Sequence, residues 1–516
     1  MTGAGYLLEG APWAPALVLL PLGAAFLAFA LPRAGRSLAA LSALALPALA
    51  GGLAARVALH GPQRYRIGGW GPPLGIDWHA DGLSALLCLL TAAVGAGATL
   101  YALSGAGIAA GPARRGGRDL FWSLWLFAWA ALYALFLSAD AFNLYVCLEL
   151  LGLAAVGLAA QEVKPEALEA ALRYLLVNLL GSFAYLLGVV LLYAGHATLD
   201  LAALARSVEP GPGTGAAAVL VAGGLLLKAA VFPFHVWLPP AHGNAPAPVS
   251  AVLSALVVKA SFYLFLRFWL PVFGAPAAGA GDVHLAGTFL GALGAAALVW
   301  GSVLALIQER LKLLVAYSTV AQVGALFLVF PLAGPTPWGA AAWAGGVYLA
   351  LSHGLAKAGM FLAAGSLAAS AGHDRMAELP RVLQARPVAA FAFAAASVSL
   401  MGLPPSGGFV GKWLLLGAAV ESGGWAWAAV LGGSGLLTAG YCFRVLPGAF
   451  ALAPGPAGPE AFRGPGAAPA PAAEWAGLGL ALGALALGFL APWILELAAV
   501  GYPFPGPVSR GAGVPP

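Results

Sequence analysis

The sequence predicts an all-α polytopic membrane protein, and three observations carry that prediction. Of its 516 residues, 61% are hydrophobic and only 8% are charged, against roughly 45–50% and about 25% in a soluble domain. Apolar stretches recur along the whole length, each long enough to cross a hydrocarbon core that needs about 20 residues. Lysine and arginine outside these stretches gather unevenly on alternate sides of them. This composition leaves no room for a large soluble catalytic domain. The formal charge of +5 would suggest nucleic acid in a soluble protein. Here the arginines read as topology determinants, and no nucleic-acid partner is expected.

Breaking the hydropathy at charges, Pro/Gly clusters and turn signals gives fourteen spans, near 14–31, 37–59, 82–105, 119–138, 141–161, 171–194, 215–235, 246–270, 284–308, 311–331, 338–368, 388–419, 424–450 and 475–499. The first lacks a basic leader, so it reads as a retained span rather than a cleaved signal. The spans at 338–368 and 388–419 are too long for straight helices and should tilt, kink or break. Loop 61–81 is polar and turn-rich, and loop 451–474 is Ala/Pro/Gly-rich. Fourteen of the 24 basic residues fall on one side, among them Arg33, Arg36, Arg114, Arg115, Arg118, Arg310, Lys312, Arg375 and Arg463. Six fall on the other: Arg56, Arg64, Arg66, Arg206, Arg267 and Arg510. The positive-inside rule puts the first side in the cytoplasm and both termini outside. An even number of spans agrees. Cys88, Cys147 and Cys442 sit singly, with no CxxC pair, so no disulfide framework or iron–sulfur site is readable.

Four lysines and one glutamate fall inside spans: Glu149, Lys228, Lys259, Lys357 and Lys412. A charge at mid-bilayer costs at least about 2.5–3.5 kcal/mol on insertion scales, so such residues face a protein interior or a wet cavity. A single lysine could snorkel or make a structural ion pair. Four lysines cannot all be neutralised by one glutamate, and the excess implies water access or lysines that give up a proton readily. A chain of ionisable groups through a helical bundle is what a proton path needs. His353 and Lys357 lie one turn apart on one face. His235 follows Pro233 and is either a relay group or a hydrogen-bonded core histidine. His242 reads as a residue holding a loop turn, Asp140 as an N-cap, Arg310 and Lys312 as topology signals, and Trp237, Trp269 and Trp338 as interfacial anchors.

Pro233 interrupts the seventh span and Pro404–Pro405 with Gly407–Gly408 the twelfth, each with an interior lysine nearby. The breaks are five spans apart, and an odd offset means the two elements enter from opposite sides, as in inverted repeats with discontinuous helices. Residues 1–118 are then an N-terminal three-helix segment, 119–270 a first inverted repeat (helices 4–8), 284–450 a second (helices 9–13), and 451–516 a loop and C-terminal helix. SGGFVGKW mimics a P-loop, but Ser406 stands at its first glycine position and Trp413 where a magnesium-holding Ser/Thr is needed. There is no GxGxxG unit, HExxH or GxSxG, so no cofactor, metal or nucleophile site is expected.

SADAFNLYVCLELLGLAAVGL, ALRYLLVNLLGSFAYLLGVVLLY, LLLKAAVFPFHVWLPPAHGNAPAPVSAVLSALVVKA, RLKLLVAYSTVAQVG and GLPPSGGFVGKWLLL together resemble the antiporter-like proton-translocating membrane subunits. That family includes subunits of respiratory complex I, membrane-bound hydrogenases and Mrp-type cation/proton antiporters. The resemblance spans roughly residues 80–450 and is greatest to the D-type subunit of Mrp antiporters, with Cys147 a departure where relatives carry an aromatic residue. It implies fourteen helices with two inverted five-helix repeats. It matches Glu149 to the fifth-helix glutamate, Lys228 to the seventh-helix lysine that pairs with it, and Lys259 to the central eighth-helix lysine. His353 and Lys357 match the onward relay, and Lys412 the twelfth-helix terminal site. The implied function is the proton-translocating subunit of a multi-subunit Na+/H+ antiporter in the bacterial cytoplasmic membrane, a transporter subunit rather than an enzyme by itself. The alternative is the pump arm of a redox-driven complex. Its partners would be other membrane subunits, protons, a monovalent cation and the lipid bilayer.

Overall fold

The computed structural model describes residues 12–105, 120–162, 164–274, 280–449 and 470–502, with only the backbone of 280–284 and 381. Arg114, Arg115, Arg118, Arg463 and Arg510, most of the 451–474 loop and both ends of the chain lie outside the described residues. The helices are α1 (Trp13–Ala30), α2 (Gly35–His60), α3 (Gly82–Leu103), α4 (Phe121–Leu137), α5 (Ala141–Ala159), α6 (Pro165–His196), α7 (Leu201–Ser207), α8 (Pro212–Ala229), α9 (Leu238–Asn244), α10 (Ala247–Phe273), α11 (Ala280–Ile307), α12 (Leu311–Phe327), α13 (Gly339–Ala371), α14 (Pro380–Ala385), α15 (Pro387–Met401), α16 (Gly407–Glu421), α17 (Trp425–Cys442), α18 (Pro471–Ala486) and α19 (Ala491–Ala499).

Every predicted span contains helix. Among the described residues nine helices are long and apolar enough to cross a membrane, or ten counting the bent pair α18–α19, with α4, α12 and α15 apolar but shorter. Loop 61–81 departs from the all-α expectation. It folds into an antiparallel hairpin, β1 (Gln63–Arg66) with β2 (Asp77–Ala80), which lets its polar backbone pair without a helix. The 338–368 span is one uninterrupted helix of 33 residues, α13, whereas 388–419 breaks as expected between Met401 and Gly407. The last span bends by 77° between α18 and α19.

The side carrying the hairpin also holds the Trp78–Ser138 and Asp140–Asp200 bridges, and the opposite side holds the Arg310–Arg375 bridge. Asp140 caps α5 as predicted, accepting from the Asn143 N–H at 2.8 Å. Arg310 and Lys312 do more than set topology. Arg310 pairs with Asp374 at 2.9 Å and donates to the Gly243 carbonyl at 3.2 Å, while Lys312 donates to the Ala245 carbonyl at 2.5 Å. These two cations therefore cap the C-terminal end of α9, where the helix dipole favours positive charge.

Two glycine pairs bring helices into backbone contact. A Cβ on Gly181 would meet the Gly224 carbonyl at 2.9 Å, and one on Gly345 would meet the Gly411 carbonyl at 3.0 Å. Only hydrogen at these positions lets α6 reach α8, and α13 reach α16, closely enough to bring their polar side chains together.

Candidate functional site: a row of buried lysines

At the first helix break, α8 ends at Ala230 in the left-handed conformation (φ 55°), followed by Pro233 and a single tight turn, Phe234–Trp237. Trp237 closes the break: its indole N–H donates to the Leu227 carbonyl at 2.9 Å, and its ring stacks on Tyr174 at 4.2 Å. It is buried, not an interfacial anchor, and so is Trp269. With the indole holding the helix end, Lys228 is free to point across to α6 and α5. Its Nζ donates to Asn178 Oδ1 at 2.7 Å and lies 3.3 Å from Glu149 Oε1. The same carboxylate oxygen accepts from the Ser182 hydroxyl. Glu149 is not fully interior as the sequence suggested: 18% of its side chain is exposed at the rim of the bundle.

Lys259 lies mid-way along α10, where a π-helical turn, Leu253–Val257, interrupts the α-helical register. Such a turn displaces carbonyls from the regular ladder, and Lys259 Nζ donates to the Ser254 carbonyl at 2.5 Å. The Ser254 hydroxyl meets Thr319 Oγ1 at 2.9 Å, and Thr319 donates to the Val315 carbonyl at 3.1 Å. That carbonyl also accepts from Lys357 Nζ at 2.7 Å, and Lys357 donates to the Ser318 hydroxyl as well. A polar path through Ser254 of α10 and Thr319 and Val315 of α12 thus joins the two central lysines.

A second path leads on to the other break. Gln322 Nε2, one turn beyond Ser318, donates to Thr438 Oγ1 at 3.0 Å, to the Tyr441 hydroxyl at 3.3 Å and towards the Leu400 carbonyl at 3.5 Å. Tyr441 donates to Thr438 at 3.2 Å. Lys412 Nζ sits on the Leu400 and Met401 carbonyls at 3.0 and 3.2 Å, at the C-terminal end of α15. Gly402 (φ 82°) ends that helix, and Pro405 and the Ser406 N-cap start α16.

The fold brings Glu149 and Lys228 together directly, and links Lys259, Lys357 and Lys412 through α12 and α17. It leaves the histidines less engaged. His353 is buried on the Lys357 face, yet among the described residues neither of its ring nitrogens has a hydrogen-bond partner. His235 is buried beside Phe232, with ring centroids 5.7 Å apart, and makes no hydrogen bond to a lysine of the row among the described residues. His242 is not a loop residue. It lies within α9, fully buried and stacked on Phe361 at 4.7 Å, with Lys357 Nζ 5.8 Å from the same ring. Asn178, Ser182, Ser254, Ser318, Thr319, Gln322, Thr438 and Tyr441 went unread in the sequence. Their signal was polar residues one turn apart within apolar helices, as at Asn178/Ser182 and Ser318/Gln322.

Residues 138–438 match the family described as NADH:quinone oxidoreductase/Mrp antiporter, transmembrane. The chain belongs to this family. A relative named as the N subunit of an NADH-quinone oxidoreductase, from Desulforudis audaxviator, is 38% identical over 442 residues, 82% of this chain and 84% of the relative. A relative named as the D subunit of a Na+/H+ antiporter, from Bacillus subtilis, is 30% identical over 369 residues, 70% of this chain and 71% of its own length. A chain in the solved Mrp complex from Dietzia sp. DQ12-45-1b superposes with a TM-score of 0.82 at 25% identity, covering 95% of this chain and 96% of that one. As a member of the antiporter-like family, this chain is a multi-pass membrane subunit of Mrp or complex I-like assemblies, and its partners are other membrane subunits. The sequence-based preference for the D-type subunit is not singled out, because the N-type relative is more similar over a longer stretch.

Proposed function

We propose that the chain conducts protons along Glu149, Lys228, Lys259, His353/Lys357 and Lys412, as one subunit of a larger membrane complex. The observation that carries this reading is the burial of four lysines in the bundle, Lys228 beside the Glu149 carboxylate and Lys259, Lys357 and Lys412 along the polar groups of α12 and α17. Buried charge of this kind is costly in a membrane and serves ion pathways. Protons enter near Glu149 and Lys228, pass laterally through Lys259 and Lys357, and leave past Lys412. The Glu149–Lys228 pair is the switch. Closed, the carboxylate stabilises the charged lysine; open, Lys228 loses that support and passes its proton on to Lys259. His353 acts with Lys357 on the lateral route, and His235 would serve as a side relay.

In this reading the fold is fourteen crossings with both termini outside, and residues 119–270 and 284–450 are inverted five-helix repeats. The matching breaks support it: each has a left-handed helix end followed three residues later by the proline, Ala230 to Pro233 and Gly402 to Pro405. The glycine contacts of α6 with α8 and of α13 with α16 fall at corresponding places.

Sodium/proton exchange is the first form this function takes, supported by the likeness to the Dietzia Mrp complex. Redox-driven pumping is the second, favoured by the 38% identity to an N-type relative. Mass spectrometry of what co-purifies with the tagged chain separates them: small antiporter-type subunits speak for exchange, iron–sulfur proteins for a redox pump. Conduction itself is tested in vesicles. Lys228→Ala, Lys259→Ala and Glu149→Ala should each abolish transport with assembly intact, and transport retained in all three would end this reading.

A further inference from the structure

From Lys259, α10 continues towards the hairpin side with Tyr263 and Arg267 at successive four-residue steps, so the three share one face. The stripe starts at the centre of the row and rises about 12 Å to Arg267. A cation path could leave the membrane here, on the same side as the hairpin.

The groups along the stripe oppose that. Tyr263 donates its hydroxyl to the Phe136 carbonyl at 2.8 Å. The Arg267 guanidinium lies 5.0 Å from the Tyr263 ring and binds Asp81 through both nitrogens, at 2.5 and 2.6 Å, and Ser84 Oγ at 2.8 Å. Asp81 is buried and also caps α3, accepting from the Ser84 N–H at 2.9 Å. Burial alone would raise its carboxyl, but the Arg267 charge and hydrogen bonds hold it below the usual carboxylate range. The segment after α19 covers the pair: Gly82 N–H donates to the Val500 carbonyl at 2.8 Å, and a Cβ on Gly501 would meet Asp81 at 2.7 Å. A relay needs groups that both take up and release a proton. Arginine does not release one, an ion-paired carboxylate does not take one up near neutral pH, and a fixed guanidinium is a barrier to protons and cations in a pore.

We infer that the Asp81–Arg267 pair, with Tyr263 beneath it, is a proton-tight plug that closes the hairpin-side end of the stripe above Lys259 and leaves the lateral route to Lys357 as the way on. The plug rests on the row being a proton path, and its test separates the two. The complex containing the full chain is reconstituted in vesicles with a pH-sensitive dye inside. A potassium diffusion potential is imposed without any substrate to drive turnover, so that only passive proton leak is read. Removing one fixed charge beside a passing cation changes its rate by about tenfold, so Arg267→Gln should leak about tenfold faster than the parent. The double variant Asp81→Asn/Arg267→Gln, which leaves no unpaired charge, should leak likewise and serves if the single variant does not assemble. Asp81→Asn keeps the guanidinium and should stay tight. Adding Lys259→Ala to a leaking variant should stop the leak. Assembled Arg267→Gln and double variants no leakier than the parent, a leaking Asp81→Asn, or a leak that survives Lys259→Ala would each overturn the plug. Failure of the row itself would register separately, as driven transport retained by Lys259→Ala alone.

Discussion

The two broken helices solve one problem in opposite ways. Breaking a helix inside a membrane exposes carbonyls that must find donors within the protein. At the first break the indole of Trp237 takes the Leu227 carbonyl, and Lys228 is released to meet Asn178 and Glu149. At the second, Lys412 itself takes the Leu400 and Met401 carbonyls. One lysine is held by a side-chain carboxylate from another helix; the other is held by backbone carbonyls at the negative end of a helix. In the proposed function a side-chain support suits the switch at the first break and a backbone support the exit at the second.

The largest expected effect tests whether both poles matter. Lys228→Ala and Lys412→Ala should each reduce driven proton transport to background in vesicles, and transport surviving in only one of them would leave a single functional pole. Next comes the acid. Hydrogen bonds to charged groups contribute about 1.5–3 kcal/mol, so Glu149→Gln should slow transport about tenfold or more; an unchanged rate would make the two breaks equivalent after all. Tyr441→Phe removes one hydroxyl from the path between Lys357 and Lys412 and should cost about tenfold through an unsatisfied buried network. An unchanged transport rate in assembled Tyr441→Phe would take Tyr441 off the path. The smallest effect concerns the backbone. Ala230 holds a left-handed conformation that glycine adopts freely, so Ala230→Gly should stabilise by up to about 1 kcal/mol. Gly402→Ala should destabilise by about 1–2 kcal/mol, since its Cβ would also meet the Lys412 side chain at 2.7 Å. Thermal midpoints in detergent that move the same way in both variants would show that the two helix ends are not alike.

What could be read from the sequence was what membranes make expensive. A charged side chain in an apolar run stands out, so all five charged residues of the row were visible, as were the breaks at Pro233 and Pro404–Pro405. Neutral polar residues cost far less in a bundle, averaging about 0.6 kcal/mol per interhelical hydrogen bond, so Asn178, Gln322 and Tyr441 did not stand out. Their role depends on which helices touch, and that is set by glycine contacts such as Gly181 with Gly224. Residue type misled at Trp237 and His242, where an aromatic near a span end and a histidine among prolines are both buried in the core. The π-helical turn before Lys259 has no marker in VSAVLSALVVKA. The bend at 487–490 did have one, in Gly488 and Pro492, but it lay beyond the motifs that carry charge.

That bend is seated against the second break. A Cβ on Gly488 would meet the Pro405 carbonyl at 1.8 Å, Gly407 lies against Leu487, and Tyr348 donates its hydroxyl to the Leu487 carbonyl. The side chains that hold Lys228 and the end of α8 at the first break, Glu149, Asn178, Tyr174 and Trp237, all precede residue 244. The second waits for a helix made long afterwards. During biogenesis the groups that hold Lys228 are therefore made well before those that seat the second break, and a nascent chain stalled before residue 488 would lack the contact of Gly488 with Pro405.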